Sequence, residues 1–151
     1  SLIAKRSREA LRNRDGKKTE ELYAISLTTG KDVSSITDQH IPFGITRTPK
    51  FDNDVKRAED KGEKVLLIHN HPRGLPPSVS DLNELLNHKD TSGITVGNNG
   101  SIYYYTRPSK KIREFDVSVA KRKCKGYNEY EYMEEILKEL SKKFNFQIVK
   151  L

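Results

Sequence analysis

The stretch LLIHNHPRGLPPSVSDL, Leu66–Leu82, sets two histidines one residue apart, then a proline-rich loop, then Ser78 and Asp81 at the start of a helical pattern. Imidazole and carboxylate are donors that zinc accepts. Three protein ligands with an open fourth position make a zinc site that does chemistry rather than one that only holds structure. Two imidazoles share an ion only if they point the same way. On a strand, His69 and His71 lie on one face and Asn70 on the other. Asp81 is the third candidate ligand, delivered by the rigid loop Pro72–Pro77 folding back. Ser78-x-x-Asp81 ahead of Leu82, Leu85 and Leu86 is also close to a capping box. The two roles are compatible, because an Asp in the first turn beside the apolar stripe faces inward.

The elements that must position these groups are readable around them. Val65–Ile68 is a continuous apolar run with β-branched ends, the pattern of a buried strand. Ser78–His88 is a short helix. Glu21–Thr28 and Val33–Thr37 are strands joined by the turn Thr29–Asp32. Phe51–Lys61 is a helix stopped by Gly62. Gly93–Val96 and Ser101–Thr106 form a hairpin around Gly97-Asn98-Asn99-Gly100. In Glu129–Lys143, Met133, Ile136, Leu137, Leu140 and then Phe144 recur at helical spacing. Phe146–Val149 is a last strand. Ser1–Arg14 is a weakly amphipathic helix ended by Asp15-Gly16, and Ile41–Lys50, with two prolines and a glycine, is irregular. The fold class is α/β (α+β): one mixed, mainly antiparallel sheet with flanking helices, in a single domain over 1–151. Within it, 1–18 is a helical lead-in, 20–106 the core and 107–151 a helical extension.

Composition narrows the class. No apolar stretch approaches the roughly 20 residues that span a bilayer, and no secretory pattern is present. These features set the expectation of a soluble protein without a membrane partner, starting at Ser1 as a module of a longer chain. A single cysteine, Cys124, cannot pair internally, which suits a reducing compartment. Its neighbours Lys121, Arg122, Lys123 and Lys125 offer a lowered thiol pKa, while an inert thiol is the plainer reading. The 28 Lys and Arg against 21 Asp and Glu leave a net charge of +7. The excess gathers near Lys5–Lys18 and Arg107–Lys125, which permits nucleic-acid contact, although a solvated basic surface explains it as well.

HNHPRGLPPSVSD resembles the signature of the JAMM (MPN/JAB-type) metallohydrolases: His-x-His-Pro, a loop, then Ser-x-x-Asp. Asn70 and the Gly-Pro loop are most similar to its RadC-like bacterial branch. The loop from Pro72 to Ser78 is one residue shorter than in that branch. The resemblance implies a cytidine deaminase-like architecture and a zinc hydrolase that cuts a peptide or isopeptide bond in a peptide or protein substrate. It makes His69, His71 and Asp81 zinc ligands and sets Ser78 beside the oxyanion. It also implies a glutamate base on an early strand, followed after two residues by a small one. Glu20 and Glu21 are the choices. Glu21 has Ala24 three positions on. It also shares a face with Tyr23, Ile25 and Leu27, the more apolar and so the better-buried face, where a carboxylate is desolvated. Glu21 is therefore the expected base. His88 and His40 are weaker metal candidates.

Over the whole chain, EELYAISLTTGK, GNNGSIYYYT and EEILKELSKKFNF resemble the C-terminal module of minor head or head-morphogenesis proteins of phages and prophages. That implies phage head proteins as partners, and a bacterial cytoplasmic or virion location. The rival expectations are a catalytically silent interaction module and a basic, nucleic-acid-associated RadC-like domain.

Overall fold

The computed structural model describes residues 2–10, 20–37, 47–71 and 73–151. The Asp15-Gly16 stop, most of the irregular stretch 41–50 and His40 lie outside the described residues.

One sheet organises the chain. Its strands are β1 (Leu22–Ser26), β2 (Asp32–Ile36), β3 (Val65–His71), β4 (Thr91–Gly97), β5 (Ile102–Tyr105) and β6 (Ile148–Lys150). They lie in the order β2-β1-β3-β4-β5-β6. Every pairing is antiparallel except β3 with β4. The helices are α1 (Leu2–Ala10), α2 (Pro49–Asp60), α3 (Val79–Glu84), α4 (Glu114–Arg122) and α5 (Glu129–Phe144), and a short 3₁₀ turn, Leu85–Asn87, follows α3. The parallel β3–β4 step needs a crossover, and α3 lies in that crossover.

The sheet is covered on both faces. On one, Leu22, Ala24, Leu67 and Tyr105 pack against Phe51 and Val55 of α2, Leu82 of α3 and Ile136, Leu137, Leu140 and Phe144 of α5. On the other, Tyr23, Ile25, Leu66, Ile68, Ile94 and Val96 form a second cluster against Leu2 of α1. Central strands of this kind read as unbroken apolar runs, which is why Val65–Ile68 shows no alternation.

The helix ends follow local chemistry. Thr48 caps α2, its Oγ1 accepting from Phe51 N at 3.2 Å, and Pro49 takes the first turn, where its missing N–H costs nothing. The helix therefore starts two residues earlier than its apolar pattern suggests. Gly62 closes it at φ 80°, a left-handed conformation that glycine adopts without a Cβ penalty. Asn128 caps α5 by accepting from Glu131 N at 2.9 Å. Acidic side chains open α5 and Lys142 and Lys143 close it, matching the helix dipole.

Candidate metal centre

β3 presents His69 and His71 on the face that carries Leu67, toward the larger core cluster. Leu22 of β1 pairs with His69. Continuing that antiparallel register by two residues sets Glu20 beside His71 and Glu21 beside Asn70. The backbone after His71 turns at once: Gly74 N donates to His71 O at 2.8 Å, with Gly74 at φ 71°. The loop is then tied down from two sides. Ser101 Oγ donates to Gly74 O at 2.8 Å and Tyr130 OH to Arg73 O at 2.7 Å, while Arg73 pairs with Glu129. The left-handed φ at Gly74 favours glycine there, and a Cβ would also displace the Asn99 side chain.

The loop ends at Ser78, the N-cap of α3. Ser78 N donates to Asp81 Oδ2 at 2.8 Å, and Asp81 N donates to Ser78 Oγ at 3.1 Å, a full capping box. The same Oδ2 faces the imidazoles, 3.4 Å from His69 Nε2 and 3.2 Å from His71 Nε2. The two Nε2 atoms are 2.9 Å apart. A point equidistant from the three atoms lies about 1.8 Å from each, so one ion at zinc's reach of roughly 2.0–2.2 Å touches all three. The oxygen that caps α3 is therefore also the one placed to ligate an ion.

The donor set is prepared for a cation. His71 Nδ1 lies 2.9 Å from Leu75 O, and a carbonyl only accepts, so Nδ1 carries the proton. A neutral ring then leaves Nε2 bare at the centre of the cluster. Burial works to raise the Asp81 carboxyl, but the two imidazoles outweigh it and hold the group well below the usual carboxylate range. Burial alone would lower His71. Asp81, the Leu75 carbonyl and Glu20 overcome that and raise it.

The three donors open into a cavity of about 950 Å³ that Glu20, Ser78, Arg47, Tyr105 and Met133 also line. The Glu20 carboxyl is raised, chiefly by burial and further by Asp81, against the pull of His69 and His71.

Glu21, the expected base, lies elsewhere. It is 1% exposed, its Oε2 accepts from Tyr23 OH at 2.7 Å, and its backbone N–H donates to Asn70 Oδ1 at 2.6 Å. Tyr23 and Asn70 belong to the opposite face of the sheet, so Glu21 does not line the cavity. β1 is buried along its whole length. An argument from the more apolar face therefore cannot find the site, whereas pairing with His69 does.

His88 is buried away from the triad, where its Nε2 meets an Arg47 nitrogen at 2.9 Å and its Nδ1 lies 3.6 Å from Glu59 Oε1. The Cys124 thiol is pushed up, by burial first and by Glu135 and Glu139 next, which removes the expectation of a lowered pKa.

Sequence reasoning did not find Arg47, Tyr105 or Met133. Arg47 is braced by Asp52 at 2.8 Å and Glu84 at 3.4 Å, and its guanidinium stands 5.1 Å from the centre of the Phe51 ring. Gly93 is the one local signal for Tyr105. A Cβ there would run into the Tyr105 ring, so glycine lets the ring cross the strand toward the cavity.

Compared with known proteins, the chain matches no family model and no curated protein.

Proposed function

We propose that the chain is a metal-dependent hydrolase of the JAMM type that cleaves a peptide or isopeptide bond. His69, His71 and Asp81 hold the metal, zinc by their donor chemistry, with Glu20 as base and Ser78 as a hydroxyl donor. The observation that carries this reading is the convergence of three ligand atoms from β3 and α3 in one cavity with a partly desolvated carboxyl. Bound zinc would supply a water of lowered pKa and polarise the substrate carbonyl.

The protein's own groups do the rest. Glu20 sits where burial raises its carboxyl above the ordinary value. A carboxyl of that kind takes a proton from an attacking water and returns it to the leaving amine. Ser78 Oγ accepts the Asp81 N–H. That leaves its own O–H to turn into the cavity as a donor to the developing oxyanion. The order of these residues along the chain, His-x-His-Pro then Ser-x-x-Asp, supports the JAMM assignment. The whole-chain resemblance to head-morphogenesis modules supports a capsid protein as the substrate. No helix among the described residues is long and apolar enough to cross a membrane.

The test is hydrolysis of an unfolded polypeptide mixture by zinc-loaded protein, read by mass spectrometry. New termini that vanish on chelation and return with zinc are expected. A zinc-loaded protein that cuts nothing would leave only a metal-bound interaction module.

A further inference from the structure

The surface beyond the metal cavity is shaped to receive more of a substrate than its reacting bond. Ser80, Glu84 and Asn87 line the metal cavity and also a second cleft of about 1350 Å³ on the far side of α3. The opposite wall is the chain from Lys111 to Lys121. Asn83 locks the two walls together: its Nδ2 donates to Ile112 O at 2.9 Å and its Oδ1 accepts from Ile112 N at 2.9 Å. The cleft is thus a built feature.

Its lining mixes a few apolar side chains with polar and charged ones. Phe115 stands 65% exposed in the first turn of α4, across from Leu86. Lys111 and Lys121 line the same cleft and make no ion pair with a described residue, whereas Arg113 Nε is occupied by Asp116 at 3.2 Å. Glu84 and Glu114 sit among these cations. A nucleic-acid backbone needs cations in an uninterrupted run to neutralise successive phosphates, and two carboxylates break that run. An aromatic ring, a leucine and two unspent lysines instead suit a polypeptide in which apolar side chains alternate with acidic ones.

Resting on the hydrolase reading above, we propose that this cleft binds the polypeptide running away from the scissile bond and selects a segment that sets Asp or Glu beside apolar residues.

The experiment uses the full chain, with and without zinc. Fluorescence polarisation compares two labelled serine-rich dodecapeptides, one with Glu and one with Lys around a central Leu-Phe pair, and a labelled single-stranded oligonucleotide. The Glu peptide should bind about tenfold more tightly than the Lys peptide, the scale of a few rim charges. The double substitution Lys111→Glu and Lys121→Glu should abolish or invert that preference, and Phe115→Ala should weaken both peptides about tenfold, as loss of an aromatic anchor does. Peptide binding should stay within about threefold between the zinc-free and the zinc-loaded protein, because the cleft lies outside the metal ligands. Equal binding of the two peptides, an unchanged preference in the double variant, or tighter binding of the oligonucleotide would overturn the proposal. A protein that hydrolyses peptides without this charge preference defeats the cleft alone. One that shows the preference but cuts nothing defeats the hydrolase and leaves the cleft as a docking surface.

Discussion

The backbone carbonyl of Leu75 accepts the Nδ1–H of His71 at 2.9 Å, four residues further along the same loop. One hydrogen bond therefore decides which ring nitrogen is free, and the free one faces His69 Nε2 and Asp81 Oδ2. The loop that supplies the carbonyl is itself held by Ser101 and Tyr130. The ligand geometry thus depends on the β4–β5 hairpin and on the first turn of α5, as well as on β3.

The two adjacent glutamates should behave as opposites. Glu20→Gln is expected to keep the metal and to lower kcat by about 10²–10⁴-fold, the usual range for a lost general base. Glu21→Gln should leave kcat per folded molecule unchanged and destabilise the protein by about 1–2 kcal/mol, because the amide brings an NH2 donor into the buried position where Glu21 Oε2 accepts from Tyr23 OH. Metal content, turnover and chemical denaturation of both variants check this, and loss of turnover in the Glu21 variant alone would reverse the assignment.

On the proposed reading, Ser78 has two separable roles. Ser78→Ala removes a cap, which costs about 0.5–2 kcal/mol of stability. It also removes an oxyanion donor, which lowers kcat about 10²–10³-fold. Ser78→Gly loses the same hydroxyl and costs only a few tenths of a kcal/mol as a cap. The glycine variant should therefore be nearly as slow as the alanine variant yet more stable. Kinetics paired with thermal melts separate the two effects.

Gly93→Ala should be among the more damaging single-methyl additions. The new Cβ meets the Tyr105 ring, which is 2% exposed and has little room to give. Overpacking of this kind costs about 1–3 kcal/mol. Because Tyr105 also lines the cavity, metal-dependent turnover should fall with stability. A melting temperature equal to wild type would show that the ring moves freely.

Asp116 gives the fold an acid-sensitive joint. Its Oδ2 accepts from Arg113 N at 2.9 Å at the start of α4, and its Oδ1 accepts from Lys143 Nζ at 3.0 Å at the end of α5. The Arg113 backbone N–H first, then Lys143 and the Arg113 side chain, hold the carboxyl well below the usual range. A depressed pKa contributes stability above the unfolded value of about 4, and that contribution is lost as pH falls through the folded value. The wild-type protein should therefore melt higher than Asp116→Ala at pH 7, with the gap narrowing below about pH 4. Melting curves from pH 2.5 to 7 test the sign.

Much of this site is visible in the residues before any coordinates. The His pair sits on a strand because Val65–Ile68 is apolar without interruption, and Ser78-x-x-Asp81 marks the helix start that delivers the third ligand. Gly97–Gly100 marks the hairpin, and the spacing of Met133 to Phe144 marks α5. What is hidden depends on pairing over distance. Glu20 and Glu21 differ only in which side of β1 they leave, and β1 is buried on both sides, so local periodicity says nothing about the choice. Which of them faces the cavity is decided by the pairing of Leu22 with His69, 47 residues away along the chain. The separate boundaries of α4 are obscured because Phe115, Val117 and Ala120 are few apolar positions among many cations. Arg47 reaches the cavity from a remote segment that carries no local mark of the site.

The most direct test is titration of zinc into metal-free, tag-free protein, followed by X-ray absorption at the zinc edge. One zinc per chain, held by two imidazole nitrogens and at least one further oxygen at about 2.0–2.2 Å, is the expected result, with binding lost in His69→Ala and in Asp81→Ala. No zinc bound at micromolar concentration, or zinc bound equally well by both variants, would contradict the account.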